Sequence, residues 1–268
     1  MIARGEVETV DRRNNRMAIG TQVWKEVIRS GAGQLGVILS RSAVDQFAVH
    51  ARELLLWNSK INLTAITEPL AVAVKHYIDA VAPADLIAPQ ARLLDIGSGG
   101  GFPGIPLKIM KPSLRLTIID AARKKVSFLN QAGRTLHFRD YRVLHTRLVR
   151  LRNAQDILRS RQTNDPSKPP RSGVPFADDV GKFDVVISRA LAPLDEYLTL
   201  ALPFISGKGL ILALKGRISE TELATARHVL TAIRPAWQTK SIEPEVTVRR
   251  YRLPVFESER SIVAVNFK

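Results

Sequence analysis

The chain has 268 residues, 45% of them hydrophobic, which suits one domain of ordinary to large size with a real core, or one domain with a small appendage. It has no cysteine, which excludes a disulfide framework and thiolate metal sites, and its formal net charge of +15 points to a polyanionic partner, either nucleic acid or an anionic membrane surface. No apolar run approaches the ~20 residues needed to span a bilayer, and the charged start MIARGEVETVDRRNNRMAIG lacks the apolar centre of a secretory signal, so a cytoplasmic protein that does not enter the membrane is expected.

In chain order, residues 1–41 read as an N-terminal extension, partly disordered, with 1–16 polar and aperiodic. A helix is predicted after Ser42. Ser42 with Asp45 makes a capping-box-like start, and Ala43, Val44, Phe47, Ala48, Ala51, Leu54 and Leu55 recur on one apolar face. A second helix over Leu70–Val81 completes a helical part at 42–90.

From residue 91 to 268 the pattern alternates. Strands are expected at 91–96, 115–120, 141–145, 183–188 and 210–215, short and mostly apolar, as in a parallel sheet covered on both faces. Helices at 104–111, 122–136, 193–205 and 217–233 fit between or after them. The alternation predicts an α/β protein with a doubly wound, Rossmann-like sheet. Late strands near 246–252 and 261–267, joined through Pro254, suggest an antiparallel hairpin. Residues 151–182, rich in Pro, Ser and basic residues, break the rhythm and read as a mobile insertion.

The basic residues are spread over several segments. Arg123, Lys124 and Lys125 lie together, a spaced arginine series runs from Arg134 to Arg152, and Arg249, Arg250 and Arg252 sit near the end. A basic face for nucleic acid is the reading. The five histidines (50, 76, 137, 145 and 228) show no zinc-ligand spacing, so no metal is expected.

The most informative stretch is LLDIGSGGGFPGIPLKIM, Leu93–Met110. A short buried strand runs into glycines that let a ligand approach the backbone closely, and Pro103 and Pro106 suit the helix N-terminus that follows. That helix end would offer free N–H groups and a partial positive charge to a ligand in the crevice at the strand's carboxyl end. A phosphate-binding P-loop fails, because Ile105 and Pro106 follow Gly104 where Lys and Ser/Thr are needed. Gly99, Gly101 and Gly104 match the dinucleotide pattern formally. The glycine directly after the strand is Gly97, however, and the sixth position counted from it is Phe102, so that match is out of register. The pattern acid-x-Gly-x-Gly-x-Gly (Asp95, Gly97, Gly99, Gly101) suits S-adenosylmethionine, whose ammonium and sulfonium a strand-end acid favours. Asp95 also reads as a simple strand-end turn acid. Asp120 ends the next strand, where a carboxylate can take both ribose hydroxyls of NAD or of S-adenosylmethionine, or cap the helix after it.

The stretch DIGSGGGFPGIPLKI closely resembles the glycine loop of the RsmG family of bacterial methyltransferases, also called glucose-inhibited division protein B. WNSKINLT (57–64), KHYIDA (75–80), TIIDAARKKVSFL (117–129), ISRALAPLDEY (187–197) and LALKG (212–216) match in the same order. The resemblance runs from about Val44 to the end, apart from 151–182. It implies a class I S-adenosylmethionine-dependent methyltransferase fold with a small N-terminal helical part. It also implies methyl transfer to N7 of one guanine in 16S ribosomal RNA, free or in the small ribosomal subunit. Gly97, Phe102 and Arg189 would then line the cofactor pocket, and Leu148 and Val149 would lie beside the adenine. A monomer is expected, with Arg123, Lys124, Lys125, Arg249, Arg250 and Arg252 on the RNA side.

Guanine N7 carries an in-plane lone pair and no proton, so catalysis needs no general base and is mainly positioning, with Arg189 and Lys215 as candidate contributors. His76 and Asp79 read either as part of the family signature or as a helix–loop hydrogen-bond pair. Trp57 reads as core rather than as a platform for a base. The chain departs from the family in lacking an acid in Arg147-Leu148-Val149-Arg150, in Ala80 where a serine is usual, and in an insertion beginning beside the pocket. Two other readings therefore stand at this point: a divergent relative that binds RNA or ribosomal particles with another target or none, and an NAD-dependent oxidoreductase.

Overall fold

The computed structural model describes residues 17–148, 182–233 and 244–267. The expectations for 1–16, for Val149 and for 151–181 lie outside these residues.

Seven strands form one sheet: β1 Arg92–Ile96, β2 Arg115–Asp120, β3 Tyr141–His145, β4 Phe183–Arg189, β5 Ile205–Lys215, β6 Glu245–Arg252 and β7 Glu259–Asn266. Their spatial order is β3-β2-β1-β4-β5-β7-β6. The first five are parallel, and β7 runs antiparallel between β5 and β6. The chain winds outward from β1 to β3, then returns to β4 on the other side. The switch point between β1 and β4 is where such sheets open a ligand crevice. This is the class I methyltransferase sheet that the resemblance implies, and the late strands pair as the expected hairpin.

Period-two burial explains why the sheet is covered on both faces. Leu93, Leu116, Ile118, Val185, Ile187 and Leu212 face one buried cluster, and Leu94, Ile119, Val186, Ile211 and Ala213 face another. The first cluster is closed by α1 (Gln22–Gln34), α2 (Arg41–Asn58), α4 (Gly104–Met110) and α5 (Arg123–Thr135), together with α3. Helix α3 runs from Pro69–Val72 through a π-helical Ala73–Ile78 to Asp79–Val81. The second cluster is closed by α6 (Leu194–Ala201) and α7 (Glu220–Ile233). Among the described residues no helix is long and apolar enough to cross a membrane.

Three differences from the sequence reading have local causes. Helix α1 falls inside the stretch read as an extension. Its apolar face, Trp24, Val27, Ile28, Ala32 and Leu35, has helical spacing, and Thr21 caps its start, a signal that the sequence reading missed. It is held by tertiary contacts. Trp24 Nε1 donates to Pro69 O at 2.9 Å, and a Cβ on Gly31 would sit 2.4 Å from Ile78 Cδ1. Helix α2 is capped by Ser40, whose Oγ accepts from Ala43 N at 3.1 Å, rather than by Ser42; Asp45 instead pairs with Lys25 on α1 at 2.6 Å. The helix expected over 193–205 stops at Ala201, because Pro203 turns the chain into a short 3-10 segment, and β5 begins at Ile205.

Candidate cofactor site

The loop after β1 is shaped by backbone that only glycine adopts cheaply. Gly97 follows the strand directly with φ +71°, and its N–H donates to Ile119 O at 2.8 Å. Gly99 has φ +59° and Gly101 φ +89°. A Cβ on Gly97 would meet Leu191 Cδ1 at 2.5 Å, whereas one on Gly99 would meet nothing within 4 Å. Gly99 therefore borders open space, where a ligand can touch backbone.

Asp95 is wholly buried at the end of β1. Its Oδ2 accepts from Ser98 Oγ at 2.5 Å and from Gly104 N at 2.8 Å. The N–H at the start of α4, expected to be free for a ligand, is thus taken by an internal carboxylate. Gly104 has to be glycine for this contact, since a Cβ there would lie 2.7 Å from Asp95 Oδ2. The other oxygen, Oδ1, is buried with no hydrogen-bond partner. Burial raises this carboxyl to about 6, against the hydrogen bonds from Ser98 and Gly104 that favour its charge. A second negative charge brought here, such as a pyrophosphate, would be repelled, and a cation would be favoured.

Asp120 closes the opposite side of the crevice. Its Oδ2 accepts from Gly99 N at 3.1 Å and its Oδ1 from Ala122 N at 2.8 Å. It therefore ties the glycine loop to the turn before α5; it is not the cap of that helix, whose N-cap residue is Ala122 with no side-chain cap. Leu148 is half-buried against the second cluster, close after β3.

Phe102 is the hub of the site. The His76 ring stacks on it with centroids 4.4 Å apart and 11° between planes, and the Arg189 guanidinium lies 5.0 Å from its centroid. Arg189 donates to Lys75 O at 2.8 Å, meets His76 Nδ1 at 3.1 Å and reaches Asp79 Oδ2 at 3.4 Å. His76 Nε2 lies 2.9 Å from Thr64 Oγ1, and Thr64 is itself held by its N–H on Asn58 Oδ1 at 2.9 Å. Asp79 also accepts from Tyr251 OH at 2.9 Å and pairs with Arg260 Nε at 3.4 Å. The π-helical turn widens the helix where Lys75 and His76 project, a distortion common at functional sites. Burial, aided by the Arg189 charge, lowers His76 to about 3, so its Nδ1 is a neutral acceptor for Arg189. The side chains of His76 and Asp79 are thus not bonded to each other; both hold Arg189.

Below the loop, buried His50 meets Tyr77 OH through Nδ1 at 2.9 Å, and its ring lies 5.3 Å from Phe102. Sequence reasoning gave His50 and Tyr251 no role. Neither lies in a stretch quoted for the resemblance, and only the fold brings them to Phe102 and Asp79. Trp57 packs on the core beside Phe128 with centroids 5.9 Å apart, and Ala80 is fully buried.

Lys215, at the end of β5, donates to Ala192 O at 3.0 Å and pairs with Glu222, which also accepts from Leu194 N at 2.9 Å. It braces α6 against α7 at the rim of a depression of about 420 Å³ that Leu191 also lines.

The basic residues divide. Arg123 and Lys124 are exposed and Lys125 half-buried at the first turn of α5, on the edge of the sheet that carries the glycine loop. Arg250 and Arg252 are exposed. Arg249 is committed elsewhere: it grips both oxygens of Asp85 at 2.7 and 2.9 Å and donates to Ala82 O at 2.8 Å. This pins the hairpin to the helical part. Arg249→Ala should therefore lower stability by roughly 1 kcal/mol, at the upper end for a pair this exposed, and leave RNA affinity almost unchanged. Urea unfolding checks the first and filter binding the second; a large loss of RNA affinity with unchanged stability would return Arg249 to the RNA face.

The segments that resemble the methyltransferase family, scattered over the chain, thus meet around one loop. The chain matches the family model described as rRNA small subunit methyltransferase G, GidB, over residues 43–168 and 171–242. The chain belongs to this family. A member named Ribosomal RNA small subunit methyltransferase G in Geobacter sp. (strain M21) is 38% identical over 212 residues, covering 79% of this chain and 87% of the relative. A protein of the same name in Syntrophus aciditrophicus (strain SB) is 36% identical over 209 residues, 77% and 78% of the two chains. Another, in Geobacter metallireducens, is 33% identical over 247 residues, 92% and 98%. Membership agrees with the loop geometry, in which Phe102 stands where a dinucleotide loop needs its third glycine, and removes the NAD-dependent oxidoreductase reading.

Proposed function

We propose that the protein methylates N7 of a guanine in 16S ribosomal RNA with S-adenosylmethionine as methyl donor. The observation that carries this reading is the buried Asp95 carboxylate, which holds the first N–H of α4 and keeps its other oxygen unpartnered, while the backbone at Gly99 borders open space. That arrangement opposes a pyrophosphate and favours a cationic cofactor, in accord with the family. S-adenosylmethionine supplies an electrophilic methyl group on a sulfonium.

The chain's own residues then have separate tasks. Asp95 provides negative charge at the end of β1. The backbone at Gly97, Gly99 and Gly101 lets the cofactor lie against the loop, with Phe102 beneath. Asp120 presents its carboxylate to the ribose, and Leu148 flanks the adenine. Arg189 lines the pocket from behind Phe102. Its guanidinium is held by Lys75, His76 and Asp79, and it keeps Phe102 in place. Lys215 shapes the rim. The transferred methyl leaves sulfur with its bonding pair behind and forms a bond to the N7 lone pair, so positive charge passes to the purine and no proton moves. The absence of an acid–base pair from these roles follows from that chemistry, and the rate depends on alignment. Buried Ala80 lies in an apolar setting that asks for no hydroxyl.

Incubation with labelled S-adenosylmethionine and small-subunit RNA tests the proposal. Label recovered as N7-methylguanosine is the expected result. Label in another nucleoside, or RNA binding without transfer, would favour the divergent relative.

A further inference from the structure

We infer that the cleft at the turn end of the β6–β7 hairpin holds RNA phosphates flanking the methylated nucleotide. This rests on the methyltransferase reading and adds where the substrate lies. Arg217, Arg250, Arg252 and Arg260 line a cleft of about 750 Å³ whose other walls include Tyr251 and Ser219. Two acids, Glu220 and Glu259, also line it and leave positive charge in excess. The Arg250–Glu220 pair at 3.2 Å and the Arg217–Glu259 pair at 3.8 Å are largely exposed. Such pairs contribute little and readily exchange a carboxylate for a phosphate. Arg260 differs. It is mostly buried and anchored on Asp79, so it forms a fixed wall.

The strand register places this cleft on the ligand edge. Lys215 at the end of β5 pairs with Ser261, and Ser261 pairs with Arg250. In the order β1-β4-β5-β7, three strand spacings separate the glycine loop from β7. That is roughly 14 Å, which suits neighbouring phosphates rather than the base at the methyl donor. On the other flank of the mouth, next to β1, the end of β2 leads into Arg123 and Lys124. Basic side chains in a helix's first turn oppose its dipole, so they do not serve α5 itself. An RNA strand crossing the mouth from one flank to the other meets positive charge on both sides. Planar guanidinium groups match phosphate oxygens in pairs, which favours RNA over an acidic protein segment, whose carboxylates would have to displace similar carboxylates already present. One wall of the cleft is also tied to the cofactor site, since Arg260 shares Asp79 with Arg189 above Phe102.

The test is the double reversal Arg217→Glu/Arg252→Glu in the full chain, neither residue being part of the cofactor site. The probe is deproteinised small-subunit ribosomal RNA, titrated at several potassium chloride concentrations. Each phosphate contact to single-stranded RNA contributes about 0.7 to the slope of log affinity against log salt, so the variant should lose about 1.4. Affinity for S-adenosylmethionine and the thermal midpoint should stay unchanged. Arg217→Gln/Arg252→Gln, which removes charge without reversing it, serves if the first variant does not fold. An unaltered slope in the variant, with steep salt dependence and methyl transfer intact in the unmutated protein, overturns the cleft assignment and leaves the methyltransferase reading standing. Salt-independent RNA binding by the unmutated protein, without methyl transfer, overturns both. Weakened binding to assembled subunits but not to deproteinised RNA overturns it in favour of an acidic ribosomal protein.

Discussion

Asp120→Ala is expected to weaken S-adenosylmethionine binding by roughly 10- to 150-fold, the equivalent of about 1.5–3 kcal/mol for a charge-assisted contact. The side chain does two things at once. It holds Gly99 N and Ala122 N, and on the proposed reading it also presents its charge to the ribose. Removing it should lose the ribose contact proposed above and loosen the loop that shapes the pocket. Asp120→Asn separates the two effects. It keeps a carbonyl acceptor for one of the backbone N–H groups but has no charge, so it should fall between the wild type and the alanine variant. Calorimetric titration measures both. Affinity unchanged in the alanine variant would mean that Asp120 only caps the turn before α5.

Acid should destabilise the fold well before its surface carboxylates titrate. His50 and His76 are both lowered from 6.5 to about 3 by burial. Below pH 6.5 the unfolded chain binds two protons that the folded chain refuses, so stability falls as pH falls. Asp95 works the other way. Its carboxyl is raised from 3.8 to about 6, so between these values the folded chain holds a proton that the unfolded chain has released. Two protons less one leaves a net slope of about 1.4 kcal/mol per pH unit below pH 6, and the total loss from pH 7 to pH 4 is about 4 kcal/mol. Asp85 and Asp184, held below the usual carboxylate range by Arg249 and Arg92, add further loss only below about pH 4. Urea midpoints measured across this range check the slope. His50→Phe removes one of the two histidine protons and should flatten the profile below pH 6, whatever it does to absolute stability. A profile already flat in the unmutated protein would mean that the buried histidines carry charge in the fold.

The sheet was legible because its strands are short apolar runs separated by helix-length segments, and the hairpin because its two strands are close in sequence. The loop was legible because Asp95 and the glycines are local. The role of Asp95 was only half legible. Its charge at the strand end could be read, but its grip on Gly104 N depends on how α4 turns back over β1. Helix α1 was legible in the spacing of Trp24, Val27, Ile28, Ala32 and Leu35 and in the Thr21 cap but was read as part of an extension; its contacts with Pro69 and Ile78 were not legible. The network around Phe102 was visible only as disconnected stretches. Thr64, His76 and Arg189 are far apart in the chain, and no spacing rule predicts that a π-helical turn will aim one at the others. Charge misled at Arg249. A run of arginines reads as one surface, yet alternate side chains of a strand face opposite ways, and Arg249 turns to Asp85 while Arg250 and Arg252 line the cleft.

Central to the account is that this fold places a cationic methyl donor against guanine N7 of small-subunit ribosomal RNA. The most direct test maps N7-methylguanine along that RNA in cells with the gene, without it, and with the gene restored as Asp120→Ala. The account predicts one guanine methylated in the first, unmethylated in the second and largely unmethylated in the third. An identical methylation pattern with and without the gene would contradict it.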